Sequence, residues 1–124
     1  MVTLRHPIEL LEAFEDNTDP KTKITKKTTK RQLKCLENDL MEKLERMKLI
    51  FESSLKLHNI TGEDDSKLQA EFKRTRRRIC LSHLEIEFRE RYEDEFIDIT
   101  GSQDFFELLH QIIGQQSTEE EAKE

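Results

Sequence analysis

The hydrophobic positions between Thr29 and Asn59 set the pattern of the chain. Leu33, Leu36, Leu40, Leu44, Met47, Phe51 and Leu55 recur at spacings of 3, 4, 4, 3, 4 and 4, in a stretch with neither Gly nor Pro. At about 100° per residue they share roughly a third of the circumference, which predicts an amphipathic helix roughly 45 Å long. Thr29, with Gln32 three residues on, reads as the capping box that starts it. A second stretch without Gly or Pro runs from Ser66 to about Ile99 and carries two stripes. Leu68, Phe72, Ile79, Ile86 and Ile97 project to one side; Leu81, Leu84, Phe88, Tyr92 and Ile99 project about 180–200° away. Between the stretches, Gly62 reads as a left-handed C-cap and Ser66 with Gln69 as a second capping box. A loop of about six residues is typical of antiparallel neighbouring helices, so the pair predicts a helical hairpin. Leu84–Phe88 and Phe96–Ile99 also alternate as short strands do, but no hairpin turn lies between them and helix is preferred.

The expected fold is all-α: an elongated antiparallel helical hairpin, coiled-coil-like, over residues 30–100 with its turn near 60–65. Residues 1–17 read as a short docking helix opened by Pro7, with Ile8, Leu11 and Phe14 as its stripe. Too short to stand alone, it either folds back on its own chain or anchors another subunit. Residues 18–29 read as a basic, Thr-rich linker, solvated, with Thr25, Thr28 and Thr29 as candidate phosphorylation sites. Gly101 and Gly114 bound an apolar C-terminal helix, 101–114, and 115–124 reads as a disordered acidic tail.

Composition supports long helices over a thick core: hydrophobic residues make up 34% and charged residues 39% of 124. A hairpin turned at Gly62 would set Glu93, Asp94 and Glu95 beside Lys30, Arg31 and Lys34. It would set Lys73 beside Glu52, and the neighbouring arginines near Glu45. Neither a secretory leader nor a membrane span is visible, and the two cysteines, Cys35 and Cys80, read as buried or half-buried thiols in a reducing compartment. The expected protein is soluble and intracellular.

The chemistry-bearing residues do not converge. His6, His58, His83 and His110 have no His or Cys partner at ligand spacing, and no phosphate loop or nucleophile elbow occurs. No catalytic residue, metal site or cofactor is expected, nor a small-molecule substrate. One basic cluster stands out, Lys73, Arg74, Arg76, Arg77 and Arg78. It suits an import signal, which favours the nucleus over the cytoplasm, a phosphate contact to nucleic acid, or a solvated collar.

The function expected is a non-enzymatic coiled-coil subunit of a larger protein complex. Its partner surface is the second stripe, Leu81, Leu84, Phe88 and Tyr92, together with Phe105, Phe106, Leu109, Ile112 and Ile113. Left bare, half a dozen such side chains forfeit on the order of 10 kcal/mol, so the chain is expected to need a partner, another protein rather than a second copy. The runner-up is a nucleic-acid- or chromatin-contacting module using the cluster at 73–78. A third reading is a regulatory subunit switched by phosphorylation at Ser117 or Thr118, before Glu119–Glu121.

Overall fold

A computed structural model describes residues 5–16, 22–97, 99 and 102–122, with the side chains of all but 97, 102 and 116–122. The described residues form helices and connecting segments, without strands. Helix α1 spans Pro7–Asp16, α2 Lys30–Leu57, α3 Gly62–Ser82, α4 Ile86–Ile97 and α5 Ser102–Ala122.

The heptad-like stripe makes α2. Leu33, Leu40, Leu44, Met47, Phe51 and Leu55 are buried, and Leu36 packs against the core from its edge. The capping box forms: Gln32 N donates to Thr29 Oγ1 at 3.2 Å, and Thr29 N donates to Gln32 Oε1 at 3.0 Å. At the other end, His58 is the C-cap and the left-handed residue is Asn59, at φ 53°. Gly62, also left-handed at φ 65°, is the first residue of α3 rather than the cap of α2. Thr61 is the N-cap of α3 in place of Ser66, and Glu63, Asp64 and Asp65 fall in the first turn, against the positive end of the helix dipole.

The returning stretch is not one helix. It breaks at His83–Glu85, and the segment expected to be a solvated linker crosses the break. Ile24 N donates to the His83 carbonyl at 2.6 Å, and Glu85 N donates to the Ile24 carbonyl at 3.1 Å. Ile24 and Leu84 thus form a single parallel bridge, and both side chains are at most 1% exposed. The strand-like alternation near Leu84 amounts to this one bridge, since Ile86–Ile97 is helical. The break also turns Ile86 off its expected stripe, leaving it 57% exposed. Ile97, assigned to the same stripe, has its side chain outside the described ones.

Helices from the two ends of the chain cover the stripes. α1 packs on α3 and on α2, and α5 packs on α2 and on α3; both arrangements are more extensive than direct α2–α3 packing. Direct contact includes the stacked rings of Phe51 and Phe72, centroids 4.9 Å apart. α1 turns Leu10 and Leu11 inward, with Phe14 at the core edge, while Ile8 is 53% exposed. Its entry is fixed by the fully buried Ser54 hydroxyl, which donates to the Arg5 carbonyl at 2.5 Å. Of the two expected fates for this helix, the structure shows the fold-back on its own chain.

α5 does not stop at Gly114 but runs on to Ala122, so residues 115–122 are helical rather than a disordered tail. Gly114 faces α2: a Cβ there would lie 3.2 Å from Lys30 Cε. Glycine in a helix interior costs about 1 kcal/mol relative to alanine, and here it admits that crossing side chain. Residues 1–4 and 17–21, Asp98, Thr100, Gly101 and residues 123–124 lie outside the described residues.

Residues 22–29 thus form a strap across the break, anchored by Ile24. Ile24→Ala should cost about 2–5 kcal/mol in urea unfolding, as for a buried Ile in a core, and a solvated tether would lose almost nothing.

Candidate functional site

The residues expected to receive a partner lie inside the molecule. Leu84, Phe88, Phe105, Phe106, Leu109, Ile112 and Ile113 are between 0 and 6% exposed, and Leu81 and Tyr92 are half-buried against the same core. Aromatic rings link α4 to α5. Phe88 lies 5.1 Å from Tyr92 and 6.3 Å from Phe96, Phe96 lies 5.5 Å from Phe105, and Phe105 lies 5.2 Å from Phe106. These side chains therefore fill the chain's own core, which corrects their assignment as a free partner surface. The physical reason is the break at His83–Glu85, which separates the second stripe from the axis of α3 and lets α5 meet it.

The basic cluster is brought together with carboxylates, though not the expected ones. Arg74 pairs with Glu71 on its own helix, and Arg78 reaches Glu15 of α1 at 3.0 Å. The Arg76 guanidinium sits over the Phe72 ring, 5.9 Å from its centroid. Lys73 is exposed and Arg77 half-buried. The cross-helix pairs expected from Lys73 to Glu52 and from Lys34 to Glu93–Glu95 do not form; Lys34 pairs with Glu37 at 3.7 Å. Glu37 also lies 2.5 Å from His110 Nε2, which ties α2 to α5 through a half-buried contact. Nothing in the periodicity pointed to this contact, because it joins residues 73 positions apart.

Three of the open surfaces among the described residues are candidate docking sites. The first is a face of α2: Leu49 is 58%, Ile50 40% and Leu57 52% exposed. At about 100° per residue the three lie within roughly 100° of one another, on the side away from the buried stripe. The second is a groove of about 580 Å³ between α1 and α3, floored by Leu11 and Leu68 and rimmed by charges of both signs. The third, about 620 Å³, lies between the strap and the start of α2 and contains Lys23, Lys27 and Arg31. Among the described residues no group of His, Cys, Asp and Glu is arranged to hold a metal, and no helix is long and apolar enough to cross a membrane.

The strap's dock contains a perturbed histidine. Burial pushes the His83 imidazole below its ordinary range, a hydrogen bond to the Thr22 backbone works the other way, and Lys43 adds to the lowering. Its Nε2 is buried without a hydrogen-bond partner, so a proton placed there would be poorly solvated. The two thiols also differ. Cys80 is buried and its pKa is pushed up to about 12 by desolvation, against a smaller lowering by Arg76, whereas Cys35 is exposed rather than buried or half-buried as expected.

Two outcomes follow from these environments. In the folded state His83 stays neutral where the unfolded chain takes up a proton, so its contribution to stability is present above the ordinary pKa of 6.5 and lost as pH falls through the depressed folded value. The wild type should thus lose more stability than His83→Gln between about pH 7.5 and about pH 5.5, read as the difference in urea midpoints. With a maleimide under native conditions, one thiol should react fast; Cys35→Ser should remove that reaction and Cys80→Ser should leave it.

The chain matches no family model, no curated protein and no solved structure, so the reading of its function rests on these surfaces.

Proposed function

We propose that the chain is a non-enzymatic helical module of a larger protein complex that works by docking another protein on the exposed face of α2. The observation that carries this reading is the grouping of Leu49, Ile50 and Leu57, each 40% or more exposed, on one side of a helix whose opposite side is the core. Single exposed apolar residues are ordinary on any surface, whereas several on one helix face form a site for an apolar counterpart. In this reading α2 and α3 act as an antiparallel, coiled-coil-like hairpin, supported by the Phe51–Phe72 stack on either side of the turn. A partner helix laid along α2 would use the familiar mode of apolar anchors presented at helical spacing.

Fully burying a Leu or Ile stabilises by about 1.5–3 kcal/mol, so covering the exposed halves of these three yields on the order of 3 kcal/mol. That is roughly a hundredfold in affinity, enough to select a partner within a complex but not to hold a complex alone. The folded core does not depend on it, because the residues that a lone hairpin would leave bare are covered by α1 and α5. A different protein rather than a second copy is favoured, since the other contacts of a larger complex can supply the area that the trio lacks. The competing nucleic-acid reading is weakened by the carboxylates that pair with Arg74 and Arg78.

The test compares proteins that co-purify quantitatively with the wild type and with Leu49→Asp/Ile50→Asp/Leu57→Asp. The triple variant should lose specific partners at least tenfold while its melting temperature stays within about 3 °C, because exposed positions contribute little to stability. Retention of all partners by the folded triple variant would overturn the reading.

A further inference from the structure

We infer that the groove between the strap and the N-terminal part of α2 binds a phosphorylated peptide segment of a partner protein. This rests on the reading of the chain as a docking module but uses a different surface, roughly 20 Å along α2 from Leu49.

The polar side chains that line the groove are rich in hydrogen-bond donors. Lys23, Lys27 and Arg31 supply its charge, no Asp or Glu lines it, and none of the three forms an ion pair with a described residue. That imbalance stands out in a chain of net charge −6. The basic residues on the α1–α3 groove, by contrast, share it with Glu12, Glu15 and Glu71. The polar neutral residues are oriented in the same sense. Thr28 Oγ1 accepts from Thr25 N at 2.9 Å, and Thr25 Oγ1 accepts from Lys27 N at 3.1 Å, so each hydroxyl still has its proton to donate. The Gln32 carbonyl oxygen is engaged by Thr29 N in the capping box, which leaves the amide NH₂ to donate. Three cations with hydroxyl and amide donors on one concave surface match the charge and acceptor oxygens of a phosphoryl group.

The rest of the lining indicates what carries the phosphoryl group. Leu36 and the exposed Cys35 give the groove an apolar wall, and its volume of about 620 Å³ is suited to a short segment of chain rather than a lone ion. No aromatic ring lines it, so nothing stacks a base as nucleotide and single-strand sites do. The arginines of 73–78 that would extend a nucleic-acid track are partly paired with Glu71 and Glu15. The strap makes the site possible: with Ile24 buried, the flanking Thr22, Lys23 and Thr25 are held over α2 as one wall.

The test is a ¹⁵N NMR titration of the full chain with three probes: N-acetyl-phosphothreonine methylamide, its unphosphorylated form, and an oligouridine. The phosphorylated compound should shift the amides of Lys27, Thr28, Arg31 and Gln32 saturably, and the unphosphorylated form should not. Lys27→Gln/Arg31→Gln, at exposed positions, should weaken that binding about tenfold or more with an unchanged fold by circular dichroism. Arg74→Gln/Arg78→Gln should leave it unchanged, and so should the triple Asp variant of the α2 face, which separates this inference from the docking reading. Absence of saturable shifts, equal shifts from the unphosphorylated form, or insensitivity to the Lys27/Arg31 change would overturn it. Tighter binding of oligouridine to the same amides would overturn it in favour of nucleic acid.

Discussion

Two backbone hydrogen bonds at Ile24 hold the architecture in register. The His83 carbonyl and the Glu85 amide lie where α3 ends and α4 begins, and Ile24 engages both, at 2.6 and 3.1 Å. Backbone groups at a helix break require partners, and a buried one left without them costs about 1–3 kcal/mol. The strap supplies those partners and adds a side chain only 1% exposed to the core. Because the break is satisfied, α4 is released from the axis of α3 and its aromatic face meets α5.

That release changes what the apolar residues do. In an uninterrupted hairpin the second stripe would point to solvent and the chain would depend on another protein to fold. Here Phe88 and Phe96 pack with Phe105 and Phe106 in a run of ring contacts between 5 and 6.5 Å. The docking proposed for the chain then falls to the outer surface, where two faces of α2 differ in chemistry. The C-terminal half presents Leu49, Ile50 and Leu57, and the N-terminal part, beneath the strap, presents cations and donors. The two are separable by substitution because Leu49, Ile50 and Leu57 on one, and Lys27 and Arg31 on the other, are exposed.

The electrostatics of the molecule follow the same division. Arg78 and Glu15 pin α1 to α3, Glu37 and His110 pin α2 to α5, and the charges of the 73–78 collar are partly engaged by near neighbours. Such pairs contribute little stability each, since most are well exposed, but they remove charge from the outer surface. Among the described residues, the cations without an ion pair that are gathered on one concave surface are those of the strap groove.

Local patterning accounts for α2 and its capped start, though not for the division between α3 and α4 or the length of α5. The stripe from Leu33 to Leu55, the Thr29–Gln32 capping box and the short connection before α3 are local features, dictated by periodicity and side-chain reach within a few residues. Where the apolar faces go is set by contacts between distant segments. The break at His83–Glu85 has no Gly or Pro to mark it, and it exists because a segment some 60 residues earlier in the chain donates and accepts there. The same is true of Ile24, a lone apolar residue among lysines and threonines, and of Gly114, which ends nothing but clears space for Lys30. Helix formation depends on neighbours along the chain, whereas burial depends on which distant segment arrives, and no pattern along one helix carries that information.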